Sequence, residues 1–65
     1  PVGKLMNLIK LPEVISKTTL KKSSIYALML KGEFPKNIKL GERAVAWNSD
    51  QIDDWILAKI EESSH

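Results

Sequence analysis

Residues 11–32 read LPEVISKTTLKKSSIYALMLKG, and they contain two short apolar stripes at helical spacing with a tight turn between them. The first predicted helix begins near Pro12, because a proline in the first turn costs no hydrogen bond, and it ends near Thr18. The second covers about residues 22–31 and is closed by Gly32. This stretch therefore predicts a helix-turn-helix.

A strand hairpin is predicted after the second helix. Ile38 and Leu40 alternate with a lysine, and Val45 and Trp47 alternate with an alanine. Residues 41–43, Gly-Glu-Arg, form a tight turn between the two segments. Such period-2 alternation indicates two half-buried antiparallel strands, with these four apolar side chains facing the core.

A third helix is predicted from about residue 48. Asn48 followed by Gln51 resembles a capping box. The apolar stripe of this helix consists of Ile52, Trp55, Ile56 and Ile60. Its acidic side chains, Asp53 and Asp54 among them, are expected to face water.

The order helix, turn, helix, hairpin, helix predicts a mainly α fold with a small antiparallel hairpin, the winged helix-turn-helix. We expect residues 7–62 to form this single domain, with a flexible lead-in at residues 1–6 and a flexible tail at residues 63–65. Within the domain, residues 7–11 are expected to be extended and to anchor the N-terminus.

Composition excludes several classes of protein. A chain of 65 residues has room for one domain, and an apolar content of 43% suffices for a core. The chain contains no cysteine, so disulfide and zinc–thiolate chemistry are excluded, and no cofactor or metal is expected. No apolar run approaches the ~20 residues of a membrane span, which favours a cytoplasmic location and no membrane partner.

Charge is distributed unevenly along the chain. Residues 1–43 carry nine basic and three acidic side chains, a net charge of +6, whereas residues 44–65 carry one basic and five acidic side chains, a net charge of −4. A chain polarised in this way can turn a basic face toward a polyanion such as DNA. The alternative is a scattered set of solvated lysines.

Five short motifs resemble those of the AlpA-type phage regulators, in the same order along the chain. They are Leu8 to Val14, Lys22-Ser23-Ser24-Ile25-Tyr26, Gly32 to Lys36, Lys39-Leu40-Gly41 with Arg43, Ala44 and Trp47, and Ile52 to Ile56. The similarity covers about residues 8–60. It implies a MerR-like winged-helix fold in a bacterial prophage or genomic-island protein, acting in the nucleoid as a transcriptional regulator or as an excisionase that bends DNA.

Two positions depart from the family pattern. Lys21 stands where the family often has serine, which removes a helix cap and adds a cation. Ala27 stands where the family often has arginine, which removes a DNA contact. The base specificity of the family therefore cannot be carried over to this chain.

Candidate DNA-binding residues lie on the second helix and on the hairpin. DNA binding requires cations for phosphates and small side chains for base edges. The second helix offers Lys21, Lys22, Ser23, Ser24, Tyr26 and Ala27. The hairpin and the loop before it offer Lys36, Lys39 and Arg43, and arginine suits a phosphate or a narrow minor groove.

Several of these residues have a purely structural alternative. The two serines can cap the second helix, Tyr26 can cover the core, and Arg43 can pair with Glu42. The side chains of Phe34, Trp47 and Trp55 are more typical of a core than of a stacking platform for single strands. Lys10 and Lys17 are expected to be solvated.

The predicted partner is double-stranded DNA, with integrase or RNA polymerase as a protein partner and self-association on DNA as a further expectation. A rival hypothesis is a protein-interaction module that uses the acidic third helix. An enzyme is not expected, because the chain has no nucleophile elbow or phosphate-binding loop, and His65 has no neighbouring partner in the sequence.

Overall fold

The computed structural model describes residues 7–64, which fold into three helices and one small sheet. The helices are α1 (Leu11–Thr18), α2 (Lys22–Leu30) and α3 (Ser49–Ser63). The strands are β1 (Leu8–Ile9), β2 (Ile38–Lys39) and β3 (Val45–Asn48). The predicted winged helix-turn-helix, mainly α with an antiparallel hairpin, is confirmed. The lead-in at residues 1–6 and the last residue of the tail lie outside the described residues, so the flexibility of these segments stays a prediction.

The sheet has three antiparallel strands in the order β1-β3-β2, one more than the predicted hairpin. The N-terminal segment is extended, as expected, and it pairs with β3 through Ile9 opposite Trp47. Because β3 has a strand on each side and α1 and α3 against it, both Ala46 and Trp47 are buried. The predicted one-sided alternation is therefore wrong for this strand.

One core holds the helices against the sheet. Its buried side chains are Ile9, Val14, Ile25, Phe34, Trp47 and Ile52. Half-buried apolar side chains surround them: Leu11, Ile15, Leu20, Tyr26, Leu28, Met29, Val45, Trp55 and Ile56. The core interpretation of Phe34 and Trp47 is thus confirmed, and Leu20 fills the junction between α1 and α2 as expected.

The turn between α1 and α2 contains a residue with left-handed backbone geometry. Thr19 has a φ of 61°, and its N–H donates to the carbonyl oxygen of Ile15 at 2.7 Å, which closes α1. The hydroxyl of Thr18 accepts a hydrogen bond from the N–H of Leu20 at 3.3 Å. These local bonds set the tight turn that brings α2 onto the core.

Gly32 ends α2 in the way that the sequence predicts. Its φ is 76°, its N–H donates to Met29, and the N–H of Glu33 donates to Leu28. This pair of bonds is a Schellman motif, in which the left-handed position favours glycine. The loop that follows is held to α3, because the indole N–H of Trp55 donates to the carbonyl of Glu33 at 2.8 Å.

Two apolar side chains that were expected to face the core are exposed instead. Leu40 is 56% exposed because it lies next to the tip of the hairpin, beyond the helices. Ile60 is 55% exposed because the last turns of α3 extend past the core residues.

Among residues 7–64, no helix is both long enough and apolar enough to cross a membrane.

Candidate nucleic-acid interface

The N-terminus of α2 has no side-chain cap. Lys21 occupies the capping position with extended backbone geometry, and its side chain makes no capping bond. Ser23 and Ser24 lie two and three residues after this capping position, inside the first turn of the helix, so the capping alternative for the serines is wrong. Ser23 is exposed and Ser24 half-buried. Within residues 7–64, neither hydroxyl has a hydrogen-bond partner, which leaves that of Ser23 accessible to an external one.

The outward face of α2 carries small and apolar side chains. Ser23, Ala27 and Leu30 follow one another at spacings of four and three residues, so they lie on one line along the helix. All three are exposed. We call these three residues the α2 stripe.

A groove between α2 and the hairpin brings three of the predicted site residues together. Lys22 and Tyr26 line it from α2, and Arg43 lines it from the turn between β2 and β3. Lys10, for which only solvation was expected, lines the same groove, because the pairing of β1 with β3 carries it there. We call this feature the cationic groove.

Tyr26 contributes to both the core and the cationic groove. Its half-buried ring meets the indole of Trp47 edge-on, with 6.3 Å between ring centroids and an angle of 70° between the planes. The two interpretations of this residue are therefore compatible. Packing on Trp47 holds the ring still, while its other side borders the groove.

The remaining predicted cations surround these features without joining the cationic groove. Lys21 precedes α2 and Lys39 lies on β2, and both are exposed. Lys36 lies in the loop between α2 and β2 and lines a second groove with Tyr26 and Leu30. Lys36 and Lys39 therefore lie outside the groove that Arg43 lines.

Ion pairing occurs elsewhere in the described part of the chain. Lys17 donates to Asp53 at 2.6 Å and joins α1 to α3, so the expectation that both side chains are merely solvated is wrong. Lys59 lies 3.5 Å from Glu62 on α3. No ion pair within residues 7–64 involves a cation of α2 or the wing, and Arg43 does not pair with its neighbour Glu42. These cations are available to an external anion.

A helix-turn-helix followed by a wing, with the tip of the wing beside the second helix, defines the winged helix-turn-helix class of protein. The family model described as "Prophage CP4-57 regulatory protein (AlpA)" matches residues 7–60. The chain therefore belongs to the AlpA family of prophage regulatory proteins, and the resemblance seen in the sequence is confirmed.

Two relatives are similar over most of this chain. The "Uncharacterized protein ORF88" of Enterobacteria phage P4 is 38% identical over 52 residues, which cover 80% of this chain and 59% of that protein. The "DNA-binding transcriptional activator AlpA" of Escherichia coli (strain K12) is 32% identical over 57 residues, covering 78% of this chain and 81% of that protein. The chain thus spans little more than half the length of the phage P4 relative.

Proposed function

We propose that this protein binds double-stranded DNA in a sequence-specific manner, with α2 in the major groove and the wing on the adjacent minor groove or backbone. The cationic groove carries the proposal, because it joins Lys22 of α2 and Arg43 of the wing on one surface. The similarity to a relative named as a DNA-binding transcriptional activator supports it.

The start of α2 would bind phosphates. The N–H groups of a helix N-terminus and its dipole favour an anion, and Lys21 and Lys22 add two charges at the same place. Ser23 and Ala27 have side chains short enough for the helix to approach the base edges closely. Ser24 is half-buried and would contribute at the margin of this contact.

The wing would hold the neighbouring part of the duplex. Arg43 at its tip has the planar guanidinium that binds phosphate in bidentate fashion or enters a narrow minor groove. Lys36 and Lys39 precede it and would contact the backbone as point charges. Because the tip lies beside α2, the helix and the wing can engage the same duplex together.

A single domain of this size would bury only ~600–1,000 Å² on DNA, which limits the specificity of one copy. We infer that the protein acts as several copies on neighbouring sites, or beside a larger protein already on the DNA, within the bacterial nucleoid. That protein is an integrase if the chain serves as an excisionase and RNA polymerase if it serves as a transcriptional regulator. Both roles use the same DNA-binding surface.

The test compares two double variants with the same change in net charge. Lys22→Gln with Arg43→Gln removes two cations from the cationic groove, whereas Lys17→Gln with Lys59→Gln removes two that are already paired. Fluorescence anisotropy with a labelled duplex should show a loss of affinity of about tenfold for the first and less than about twofold for the second.

Equal losses in the two double variants would show that only net charge matters and would refute the interface. An unchanged affinity in both double variants would show that other cations bind the duplex and would also refute the interface. Survival of the biological function in the variant that lacks Lys22 and Arg43 would favour the rival hypothesis, a protein-interaction module that uses the acidic α3. The rival hypothesis predicts instead that the double variant Asp53→Lys with Asp54→Lys abolishes the partner-dependent activity of the protein. Circular dichroism should first show that every variant retains its helices.

A further inference from the structure

Leu30 is the most exposed large apolar side chain among residues 7–64. It is 90% exposed, although it is the last residue of a helix that packs against the core. Its neighbours Leu28 and Met29 are half-buried and supply the packing at this end of α2. The side chain of Leu30 therefore has no evident role in the fold.

The position of Leu30 places it on the proposed DNA surface. It is the third member of the α2 stripe, after Ser23 and Ala27. At a rise of about 1.5 Å per residue, the stripe is roughly 10 Å long, which matches about three base pairs at about 3.4 Å each. A helix that lies in the major groove with Ser23 against the bases would also present Leu30 to them.

The charges around Leu30 favour DNA over an apolar protein surface as its partner. Lys31 follows it directly, and Lys36 lines the same groove as Leu30. Neither lysine has an ion-pair partner within residues 7–64. An apolar protein surface would remove water from both charges without compensation. DNA offers phosphates to the lysines and apolar atoms within the groove.

We propose that Leu30 is a specificity residue that packs on the 5-methyl group of thymine in the major groove, with Ala27 as a second, smaller contact. Among the four bases only thymine presents a methyl group there, and apolar side chains are its usual partners. This inference rests on the proposed function, because it requires α2 to enter the major groove.

The test uses two pools of 25-base-pair duplexes that carry sequences recovered by selection with the wild-type protein, one made with thymine and the other with deoxyuridine in its place. Uracil lacks only the methyl group. With the pools mixed in equal amounts and the protein limiting, wild-type complexes should be enriched in the thymine pool by about fourfold, the equivalent of one buried methyl group. Leu30→Ala should lower the enrichment to below about twofold, because only the smaller contact of Ala27 then remains.

A matched control separates this contact from general effects of an apolar surface. Leu57→Ala removes a side chain that is 57% exposed on α3, away from the cations of α2 and the wing, and it should keep the full enrichment. Arg43→Ala should lower the affinity for both pools equally and leave their ratio unchanged.

Each other outcome has a distinct meaning. Equal binding of both pools by the wild type, still weakened by Arg43→Ala, would overturn the role of Leu30 and leave the proposed function intact. An enrichment in Leu30→Ala that equals that of the wild type would assign the methyl contact to another residue and would also overturn the role of Leu30. Absence of binding to either pool would refute the proposed function itself.

Discussion

Thr19 shows how one residue shapes the motif that positions α2. Within residues 7–64 it is the non-glycine residue with a positive φ, and it lies at the turn between the two helices. A β-branched side chain is poorly suited to left-handed geometry, which costs roughly 1–2 kcal/mol for residues other than glycine. The turn is therefore strained at the point that sets the angle between α1 and α2.

Replacing Thr19 by glycine should stabilise the protein. Relief of the left-handed strain exceeds the extra entropy of a glycine in the unfolded chain, which leaves a net gain of about 0.5–1 kcal/mol in the free energy of unfolding. Urea denaturation measures this difference. Ser16→Gly is the matched control, because it introduces glycine at an exposed position inside α1 and should lose about 0.5 kcal/mol. A loss of stability in Thr19→Gly would contradict the assigned backbone geometry.

Ser23 tests whether α2 enters the groove. It is exposed, it has no hydrogen-bond partner within residues 7–64, and it caps nothing, so a larger side chain should leave the fold intact. Ser23→Phe should weaken binding to a sequence recovered by selection by more than about tenfold, because the helix could no longer approach the bases. Binding to random duplex should change much less, because phosphate contacts dominate it.

The same substitution on α1, Ser16→Phe, is the control for Ser23→Phe and should affect neither kind of DNA. Electrophoretic mobility shifts with both duplexes would measure the two losses side by side. Equal losses of specific and random binding in Ser23→Phe would argue against groove entry by α2.

At the scale of elements, the N-termini of the helices differ in whether a side chain caps them. The N-terminus of α3 is capped by the side chain of Asn48, which accepts from the N–H groups of Asp50 at 2.8 Å and Gln51 at 3.4 Å. The N-terminus of α2 has no such cap. The N-terminus of α1 also has no side-chain cap, so only α3, which contributes Ile52 to the core, is capped in this way.

Asn48→Ala should cost about 1 kcal/mol of unfolding free energy, since it leaves two N–H groups at the start of α3 without their acceptor. Asn48→Asp keeps an acceptor oxygen at the same position and should remain close to the wild type. Thermal denaturation followed by circular dichroism would show the loss as a melting temperature lower by about 4–8 °C in the alanine variant only. Equal loss in both variants would show that Asn48 acts through something other than capping.

At the scale of the whole molecule, local patterns predicted the helices, the hairpin and the capping of α3, because apolar spacing and turn residues are local properties. The features that were missed join distant parts of the chain. β1 pairs with β3 across almost forty residues, and that pairing places Lys10 in the cationic groove. The ion pair between Lys17 and Asp53 likewise depends on how α1 packs near α3. Periodicity contains no information about such contacts.

The capping alternative for the serines of α2 fails for a different reason. Serines near a helix start suggest capping, but the helix begins at Lys22, so both fall inside its first turn. The predicted start of α2 near residue 22 agrees with the structure, and the capping alternative fails only because neither serine occupies the capping position.

The charge asymmetry of the sequence persists in the folded molecule. The cations of α2 and the wing have no intramolecular ion pairs within residues 7–64, whereas Lys17 and Lys59 pair with acidic residues of α3. Seven cations lie on or beside the proposed interface: Lys10, Lys21, Lys22, Lys31, Lys36, Lys39 and Arg43. Together they determine how strongly the binding of DNA should depend on salt.

The central claim, that α2 and the wing form one DNA-binding surface, is tested most directly by anisotropy titrations of a labelled random duplex over a salt series. With five or six phosphates neutralised, the logarithm of the binding constant should fall against the logarithm of the salt concentration with a slope of about −4 to −6. A slope of about −1, or no binding even at low salt, would contradict the account, because the cations of α2 and the wing would then not engage a duplex together.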